Sequence, residues 1–177
     1  SAASDVYKRQ LKPVTLNTVT AALGLDQDVH ILIAGNACSA VAEEAAKVSG
    51  VAKVLLVESG AYENFLAENI ATLVSNISGD YDFILAPTTT NGKNVMPRVA
   101  ALQDVSQISD ISAIESSDTF QRPIYAGNCI ATVKSNDSKK IITVRNTAFD
   151  AADASGGSAE IITGLLYTSD AADESDR

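Results

Sequence analysis

A glycine–lysine pair, Gly92 and Lys93, follows an apolar run and precedes a helical pattern, which is the setting of a phosphate-binding loop. A P-loop needs a further glycine five residues before that pair, so that backbone amides can wrap the phosphates. Here that position is Pro87, whose nitrogen carries no proton. The free amides at the start of the next helix could still attract an anion. The spacing nevertheless favours a plain strand-to-helix turn over a phosphate site.

The other glycines do not form a dinucleotide-binding fingerprint. That fingerprint, G-x-G-x-x-G, needs three glycines at fixed spacing between a strand and a helix. Gly35 follows an apolar run alone, and the adjacent pair Gly156 and Gly157 lies in a small, polar stretch. We therefore predict no cofactor-binding residues in this chain.

Nucleophilic and metal chemistry have few residues to draw on. His30 is the only histidine, and it lies in the apolar run VHILIAG, a pattern more typical of a packed, hydrogen-bonded core histidine. Cys38 and Cys129 are far apart and lack metal-ligand spacing, so we interpret both as free thiols. We predict neither catalytic residues nor a metal site.

Two arginines, Arg122 and Arg145, lie among strand-like residues. The planar guanidinium makes forked contacts with a carboxylate or with backbone carbonyls, and such contacts are common at interfaces. Pairing inside the domain and contact with a partner are both open for these two residues.

The composition describes an acidic, apolar chain of 177 residues, 46% of them hydrophobic, with a net charge of −9. A surface of that sign repels phosphate backbones and anionic lipids, so nucleic acid and membrane surfaces are poor partners. No apolar run reaches the roughly 18 residues of a membrane-spanning helix. We expect a soluble, intracellular protein with one sizeable core.

Short apolar runs, rich in β-branched residues, alternate with amphipathic helical patterns. Such runs are typical of strands buried on both faces, and the alternation predicts an α/β fold with a doubly wound, mostly parallel sheet. Because a helix comes first, we expect a natural strand to be missing before Leu11. The predicted strands are Val29–Gly35, Val51–Val57 and Tyr81–Pro87; the predicted helices are Thr15–Leu23, Ala37–Val48, Asn64–Ile77 and Asn94–Leu102, with Pro97 placed in a first helical turn.

Strand patterns dominate after Leu102. Asn136-Asp137-Ser138 predicts a hairpin turn between the last two of them. From Ala148 onward the chain is small and polar, which is typical of an interdomain linker. We predict a folded domain over residues 11–150 and the start of a linker over 151–164. The predicted strands of this part are Val105–Ile114, Ile124–Ser135 and Lys139–Arg145.

The two ends of the chain do not match its middle. Ser1–Gln10 can be encoded by a DNA segment whose reverse complement encodes LLYTSDAA, which is Leu165–Ala172. Both ends resemble a translated sequencing-library adapter. We therefore expect residues 1–10 and 165–177 to be artefacts of adapter DNA, and we leave them out of fold reasoning.

Five segments follow one another in an order that resembles a known family. They are PVTLNTVTAA, HILIAGNACSAVAEEAAKVSGVAKVLLVES, GKNVMPRVAALQDVSQISDI, DTFQRPIYAGNCIATV and TVRNTAFDAA. Together they are similar to the amino-terminal domain of the electron transfer flavoprotein alpha subunit. The resemblance extends from Pro13 to Ala152 and implies a Rossmann-like fold of the adenine nucleotide alpha hydrolase kind.

The resemblance implies a role in a heterodimeric electron carrier. In that family an alpha and a beta subunit share one FAD, which takes electrons from acyl-CoA dehydrogenases and passes them to a quinone oxidoreductase. The carboxy-terminal domain of the alpha subunit carries most of the FAD site, and its glycine-rich signature is not in this sequence. The implied role here is a scaffold that packs against the beta subunit, in which AMP is expected. Interface candidates are Arg98, Arg122 and Arg145.

Two alternatives stay open from the sequence. One is a stand-alone nucleotide-binding domain of universal-stress type, although the late glycine-rich motif expected there is missing. The other is a truncated fragment without a function of its own. For the compartment, we expect a bacterial cytoplasm, because adapter-bounded fragments are common in environmental assemblies, or a mitochondrial matrix if the source is eukaryotic.

Overall fold

Strands β1 (Val29–Gly35) and β2 (Val51–Glu58) pair in parallel and begin the first small parallel sheet. The structure is a computed structural model that describes residues 10–164. In this part of the chain, β9 (Glu160–Thr163) pairs in parallel with the far edge of β2, which makes the order β1-β2-β9. We call these three strands the first half-sheet.

A second half-sheet is built from strands that follow later in the chain. β8 (Lys140–Val144) lies in its middle and pairs in parallel with β3 (Phe83–Pro87) and β4 (Gln107–Ile111). The side chains of β8 from Ile141 to Val144 are all buried. The predicted α/β class with parallel strands is therefore confirmed. The structure divides the parallel strands between two half-sheets, because β1 and β3 are not paired with each other in the described residues.

Helices cover both faces of the half-sheets. α1 (Pro13–Leu23) packs through Val19 on β1 and through Ala21 on the second half-sheet. The opposite face is covered by α3 and α4, whose apolar residues share one core with side chains of β1, β2, β3 and β8. The remaining helix bounds are Ser39–Ala46 for α2, Ala67–Ile77 for α3 and Thr90–Leu102 for α4.

Two predicted helices begin too early in the sequence interpretation. The prediction Asn64–Ile77 is wrong at its start, because Phe65 has a φ of +49°, which no α-helix accommodates. Likewise α2 begins at Ser39 rather than Ala37, whose φ is +52°. In each case the apolar periodicity of the sequence begins before the helix itself begins.

Helix α4 shows the opposite error, since it begins at Thr90 and not at the predicted Asn94. The hydroxyl of Thr89 accepts a hydrogen bond from the N–H of Gly92 at 3.2 Å, which caps the helix N-terminus. Pro97 therefore lies inside the helix, and its predicted place in the first turn is wrong. The cap starts the helix immediately after β3, before the apolar pattern becomes visible.

The predicted hairpin at Asn136-Asp137-Ser138 is wrong. β7 (Cys129–Lys134) pairs antiparallel with β6 (Thr119–Ile124), whereas β8 enters the parallel half-sheet. With the short β5 (Ala113–Ile114), β6 and β7 form a third, antiparallel sheet. The predicted strand Ile124–Ser135 is thus split by a turn at Tyr125–Gly127, and the predicted strand Val105–Ile114 is split into β4 and β5.

The segment predicted to start a linker contributes to the fold. Residues 160–163 form β9, and Gly157 and Ala159 donate backbone hydrogen bonds to the carbonyls of Lys47 and Ala46 at 2.8 and 2.9 Å. The fold therefore continues through the predicted linker to Thr163. A second domain beyond it, and an adapter origin of the two ends, stay predictions, since those ends lie outside the described residues.

Gly92 should be the position in α4 least tolerant of a side chain. A Cβ built at Gly92 would lie 2.1 Å from the carbonyl oxygen of Pro87, which belongs to backbone and cannot swing away. We expect Gly92→Ala to lower the free energy of unfolding by about 2 kcal/mol through this overlap. The measurement is urea unfolding of the 177-residue chain followed by far-ultraviolet circular dichroism. Gly79→Ala is the matched control, because nothing lies within 4 Å of its Cβ position. Equal midpoints in the two variants would contradict the steric account.

Candidate functional site

The turn from β1 into α2 is the position where an open α/β sheet usually offers free amides to a phosphate. In this protein the side chain of Glu58, at the end of β2, takes that position. Its Oε1 accepts hydrogen bonds from the backbone N–H groups of Cys38 at 2.7 Å and Ser39 at 3.0 Å. The carboxylate supplies the negative charge that a helix N-terminus favours. A phosphate at this turn would meet that charge instead of free amides.

Cys38 lies at the same turn and is buried. Burial, followed by the negative charge of Glu58, raises the pKa of the Cys38 thiol to about 11. The thiol is therefore protonated at neutral pH, and a protonated thiol is a poor nucleophile. This agrees with the interpretation of Cys38 as a free thiol without a reactive role. The other cysteine of the chain, Cys129, is free and exposed.

The loop that carries Gly92 and Lys93 is closed by contacts of its own backbone. The N–H of Thr89 donates to the carbonyl of Pro87 at 2.7 Å, and the N–H of Lys93 donates to the carbonyl of Thr89 at 2.9 Å. With the N–H of Gly92 bonded to the hydroxyl of Thr89, these amides already have partners. The loop is a tight strand-to-helix turn, as the spacing indicated.

His30 is held by Tyr81 across the sheet. One ring nitrogen of His30, Nδ1, lies 2.8 Å from the Tyr81 hydroxyl, and the two rings meet edge to face. Burial, and then the positive charge of Lys53, lowers the pKa of His30 below its ordinary value. The predicted hydrogen bond of His30 is confirmed, but the side chain is half-buried and is not part of the core.

The three predicted arginines are not brought together into one cluster of contacts. Arg145 pairs inside the domain: its Nε and Nη2 donate to Oδ2 of Asp110 at 3.1 and 2.6 Å. Asp110 has a φ of +59°, and its N–H donates to the Thr143 hydroxyl at 2.8 Å. For Arg145 the structure therefore provides the structural pairing that the sequence left open.

Arg98 and Arg122 are in different situations. Arg98, on α4, reaches Glu68 of α3 at 3.0 Å, and both side chains are about half exposed or more. Arg122, on β6, has a buried Nε with no hydrogen-bond partner among the described residues. An exposed ion pair contributes little to stability, so Arg98 has no strong structural role on this contact. Their part in an interface stays a prediction.

The hairpin of β6 and β7 carries apolar side chains that sequence reasoning did not single out. Tyr125 at its tip is 77% exposed, and Ile130 on β7 is 57% exposed. Tyr125 and Ala126 also have positive φ values of 49° and 54°, a strained conformation for residues other than glycine. The sequence signal was present in the run IYAGN, where an aromatic residue precedes a turn glycine.

Residues 10–164 lack the features of two other classes of site. Among those residues no group of three or more histidine, cysteine, aspartate or glutamate side chains could hold a metal ion. Within the same range, no helix has the length and apolar character needed to cross a membrane.

Replacing Glu58 with glutamine should make Cys38 more reactive. We expect Glu58→Gln to lower the Cys38 pKa from about 11 partway toward 9.0, because a neighbouring negative charge is removed while burial persists. More thiolate at a given pH means faster alkylation by iodoacetamide, measured from pH 8 to 10 with Cys129→Ser in every protein. Glu43→Gln, on the exposed face of α2, should leave the rate unchanged. The same pH profile in both variants would show that Glu58 does not influence the thiol.

Comparison with known proteins agrees with the sequence resemblance. Residues 3–164 match the family model of the electron transfer flavoprotein domain. The chain is 56% identical over 151 residues to electron transfer flavoprotein subunit alpha of Pseudomonas aeruginosa, a match that covers 85% of this chain and 49% of that protein. It is 57% identical over 134 residues to the subunit alpha of Paracoccus denitrificans, covering 76% of this chain and 43% of that one.

A mitochondrial protein gives a similar result. The chain is 49% identical over 162 residues to the mitochondrial electron transfer flavoprotein subunit alpha of Dictyostelium discoideum, covering 87% of this chain and 46% of that protein. The chain thus spans about half the length of the curated relatives it matches. These matches do not favour the alternative of a universal-stress nucleotide-binding domain. The chain belongs to the electron transfer flavoprotein domain family.

Proposed function

We propose that this chain is the amino-terminal lobe of an electron transfer flavoprotein alpha subunit, and that it scaffolds the subunit and packs against a beta subunit. The observation that carries the proposal is the family match over residues 3–164, together with 56% identity to a protein named subunit alpha. The chain spans about half the length of such relatives. The activity of the whole subunit is therefore a proposal.

In this proposal FAD belongs to the complete heterodimer, and most of its site lies outside this chain. Support comes from two βα turns where a nucleotide phosphate could bind, β1 to α2 and β3 to α4. Glu58 occupies the amides at the first turn, and the amides of Thr89, Gly92 and Lys93 are bonded within the second. At both turns, amides that a phosphate could use already have partners within the chain. AMP is proposed only for the beta subunit.

The complete protein is proposed to be an electron carrier and not an enzyme with substrate turnover of its own. When bound, FAD supplies the redox chemistry. Acyl-CoA dehydrogenases and other flavoprotein dehydrogenases are the proposed donors, and a quinone oxidoreductase is the proposed acceptor. We place the protein in a bacterial cytoplasm, or in a mitochondrial matrix if the source is eukaryotic.

The hairpin of β6 and β7 is the surface that we assign to the beta subunit. It presents Tyr125 and Ile130 to solvent, and it carries Arg122, whose Nε lacks a partner in the described residues. Tyrosine and arginine are the residue types that contribute most to protein interfaces. Arg98 is the second candidate contact, because its ion pair with Glu68 is exposed and can be exchanged for another. Arg145 is the third candidate, and its guanidinium pairs with Asp110 of β4.

Removal of either candidate arginine should weaken association of the subunits. We expect Arg98→Ala and Arg122→Ala, each made in the complete alpha subunit, to lower affinity for the beta subunit about tenfold, as for an interface arginine worth roughly 1.4 kcal/mol. The measurement is the dissociation constant from titration of labelled alpha subunit with beta subunit, with visible flavin absorption recorded on the isolated complex.

Two matched variants separate an interface role from a structural one. Glu68→Ala breaks the same ion pair as Arg98→Ala, and Lys134→Ala removes one positive charge from the same hairpin as Arg122→Ala. Both should leave the affinity within about twofold. If Glu68→Ala weakens binding as much as Arg98→Ala does, Arg98 acts through its pair within the domain. Unchanged affinity in both arginine variants would contradict the proposed interface.

A further inference from the structure

β7, from Cys129 to Lys134, lies at one edge of the antiparallel sheet that β5, β6 and β7 form. β6 covers one of its sides, and all six residues of β7 pair with β6 in continuous register. Within residues 10–164 no strand pairs with the other side of β7. Four of its six residues are exposed, among them Ile130 and Thr132. The outer edge of β7 is therefore open to solvent along its length.

The backbone groups that point outward from β7 belong to every second residue. The N–H of Ser135 donates to the carbonyl of Asp118 at 2.9 Å, so the N–H of Ser135 faces β6. The hydrogen bonds of an antiparallel strand alternate between its two sides. By that alternation the N–H groups of Ile130 and Thr132 point away from β6. With their carbonyls they form a row to which a further strand can bond.

The first five residues of β7 lack the usual protection of an exposed strand edge. Proteins commonly place a proline, a bulge or a charged residue in such a strand, or keep the strand very short. The run CIATV has no proline and no charge, and its pairing with β6 has no register shift. By contrast, β5 has only two residues, β4 has an irregular register, and β9 begins with a glutamate. The edge of β7 is therefore suited to bind an added strand.

The inner face of the hairpin places one arginine within reach of this edge. Phe120 is fully buried, and the two-residue period of a strand turns Arg122 toward the same face. Arg122 is paired with Ala131, whose side chain is a single methyl group. A strand added beyond β7 would lie two strand spacings from β6, about 10 Å, which the side chains of an arginine and a glutamate can span together. A carboxylate opposite Ala131 could therefore reach the guanidinium.

The charges of the hairpin favour an acidic partner over a second copy of this chain. Residues 119–134 include Arg122 and Lys134 and no Asp or Glu, although the whole chain has a net charge of −9. Lys134 pairs with Asp118 at 3.0 Å, whereas the buried Nε of Arg122 has no hydrogen-bond partner among the described residues. A second copy would bring another Arg122 and no carboxylate from its own hairpin, so like charges would meet. The carboxylate has to come from a different chain.

We propose that β7 binds an extended strand of the beta subunit along its outer edge, and that a carboxylate of that strand lies opposite Ala131 and bonds to Arg122. The inference rests on the proposed function, because that function supplies the partner. Backbone hydrogen bonds give an added strand its affinity, and side-chain contacts give it specificity. The exposed side chains of Tyr125 and Ile130 lie beside this strand, at the tip of the hairpin.

Amide hydrogen exchange, measured by NMR on the isotope-labelled complete alpha subunit, tests the edge directly. With saturating beta subunit we expect the amides of Ile130 and Thr132 to exchange at least tenfold more slowly, because they gain carbonyl partners. The amide of Ala131, which faces β6, should change less. Binding without a change at Ile130 and Thr132 would overturn the inference and leave the proposed function standing. If the unmodified subunits do not bind each other, the proposed function fails and the inference fails with it.

Two substitutions at one position separate backbone pairing from side-chain contact. Thr132→Pro removes an outward N–H and keeps the ladder to β6, so it should weaken binding of the beta subunit at least tenfold. Thr132→Ala changes the side chain but keeps the N–H, and its affinity should lie much closer to that of the parent. Equal affinities of the two variants would overturn strand pairing. If Thr132→Pro unfolds the free subunit, as judged by circular dichroism, the amide exchange decides.

Salt dependence tests the carboxylate. Raising sodium chloride from about 0.05 to 0.5 M should weaken the parent complex severalfold, and should weaken the complex of Arg122→Ala less, because salt screens the proposed charge pair. The same dependence in both proteins would overturn the assigned carboxylate. A dimer of the alpha subunit alone in sedimentation, lost in Thr132→Pro, would overturn the inference and assign the edge to a second copy.

Discussion

Apolar packing of α1 and α3 against both half-sheets is the interaction on which this structure depends. α1 packs on β1 through Val19 and on the second half-sheet through Ala21, while α3 shares a core with Leu32 of β1 and Ile84 of β3. Strands buried on both faces need such cover, because each exposed aliphatic side chain costs about 1.5 to 3 kcal/mol of lost burial. The two helices therefore connect strands that share no backbone hydrogen bonds in the described chain.

Two helix N-termini illustrate how an open α/β sheet can lose its usual ligand chemistry. At α2 a carboxylate from the neighbouring strand satisfies the free amides, and at α4 a threonine cap and a tight turn do so. Each arrangement stabilises the helix and removes donors that a phosphate would need. The raised pKa of Cys38 is a by-product of the first arrangement. With these amides bonded, the surface of the domain is what stays available for binding. The exposed hairpin of β6 and β7 has apolar and aromatic side chains of the kind found at protein interfaces.

Much of the core fold could be predicted from the sequence because its signals are local. The bounds of the strand Val29–Gly35 were predicted to the residue, because a short, continuous run rich in β-branched residues favours a buried strand. Failures occurred where a single contact decided the boundary. The cap by Thr89 moved the start of α4 by four residues, and the positive φ of Phe65 shortened α3. The hairpin error has the same origin: Asn136-Asp137-Ser138 is turn-like, but the ladder partner of each flanking strand is chosen by long-range pairing.

The sequence by itself determined the family, the alternation of strands and helices, and the failure of the phosphate-loop spacing at Gly92, because all three depend on residue order over short distances. Only the tertiary structure decided that Glu58 bonds to amides 19 and 20 residues earlier, that Arg145 pairs with Asp110, and that residues 160–163 return to β2 as a strand. These contacts join parts of the chain that are distant in sequence. Their energy is gained only when the whole fold has closed the intervening loops, so no local pattern records them.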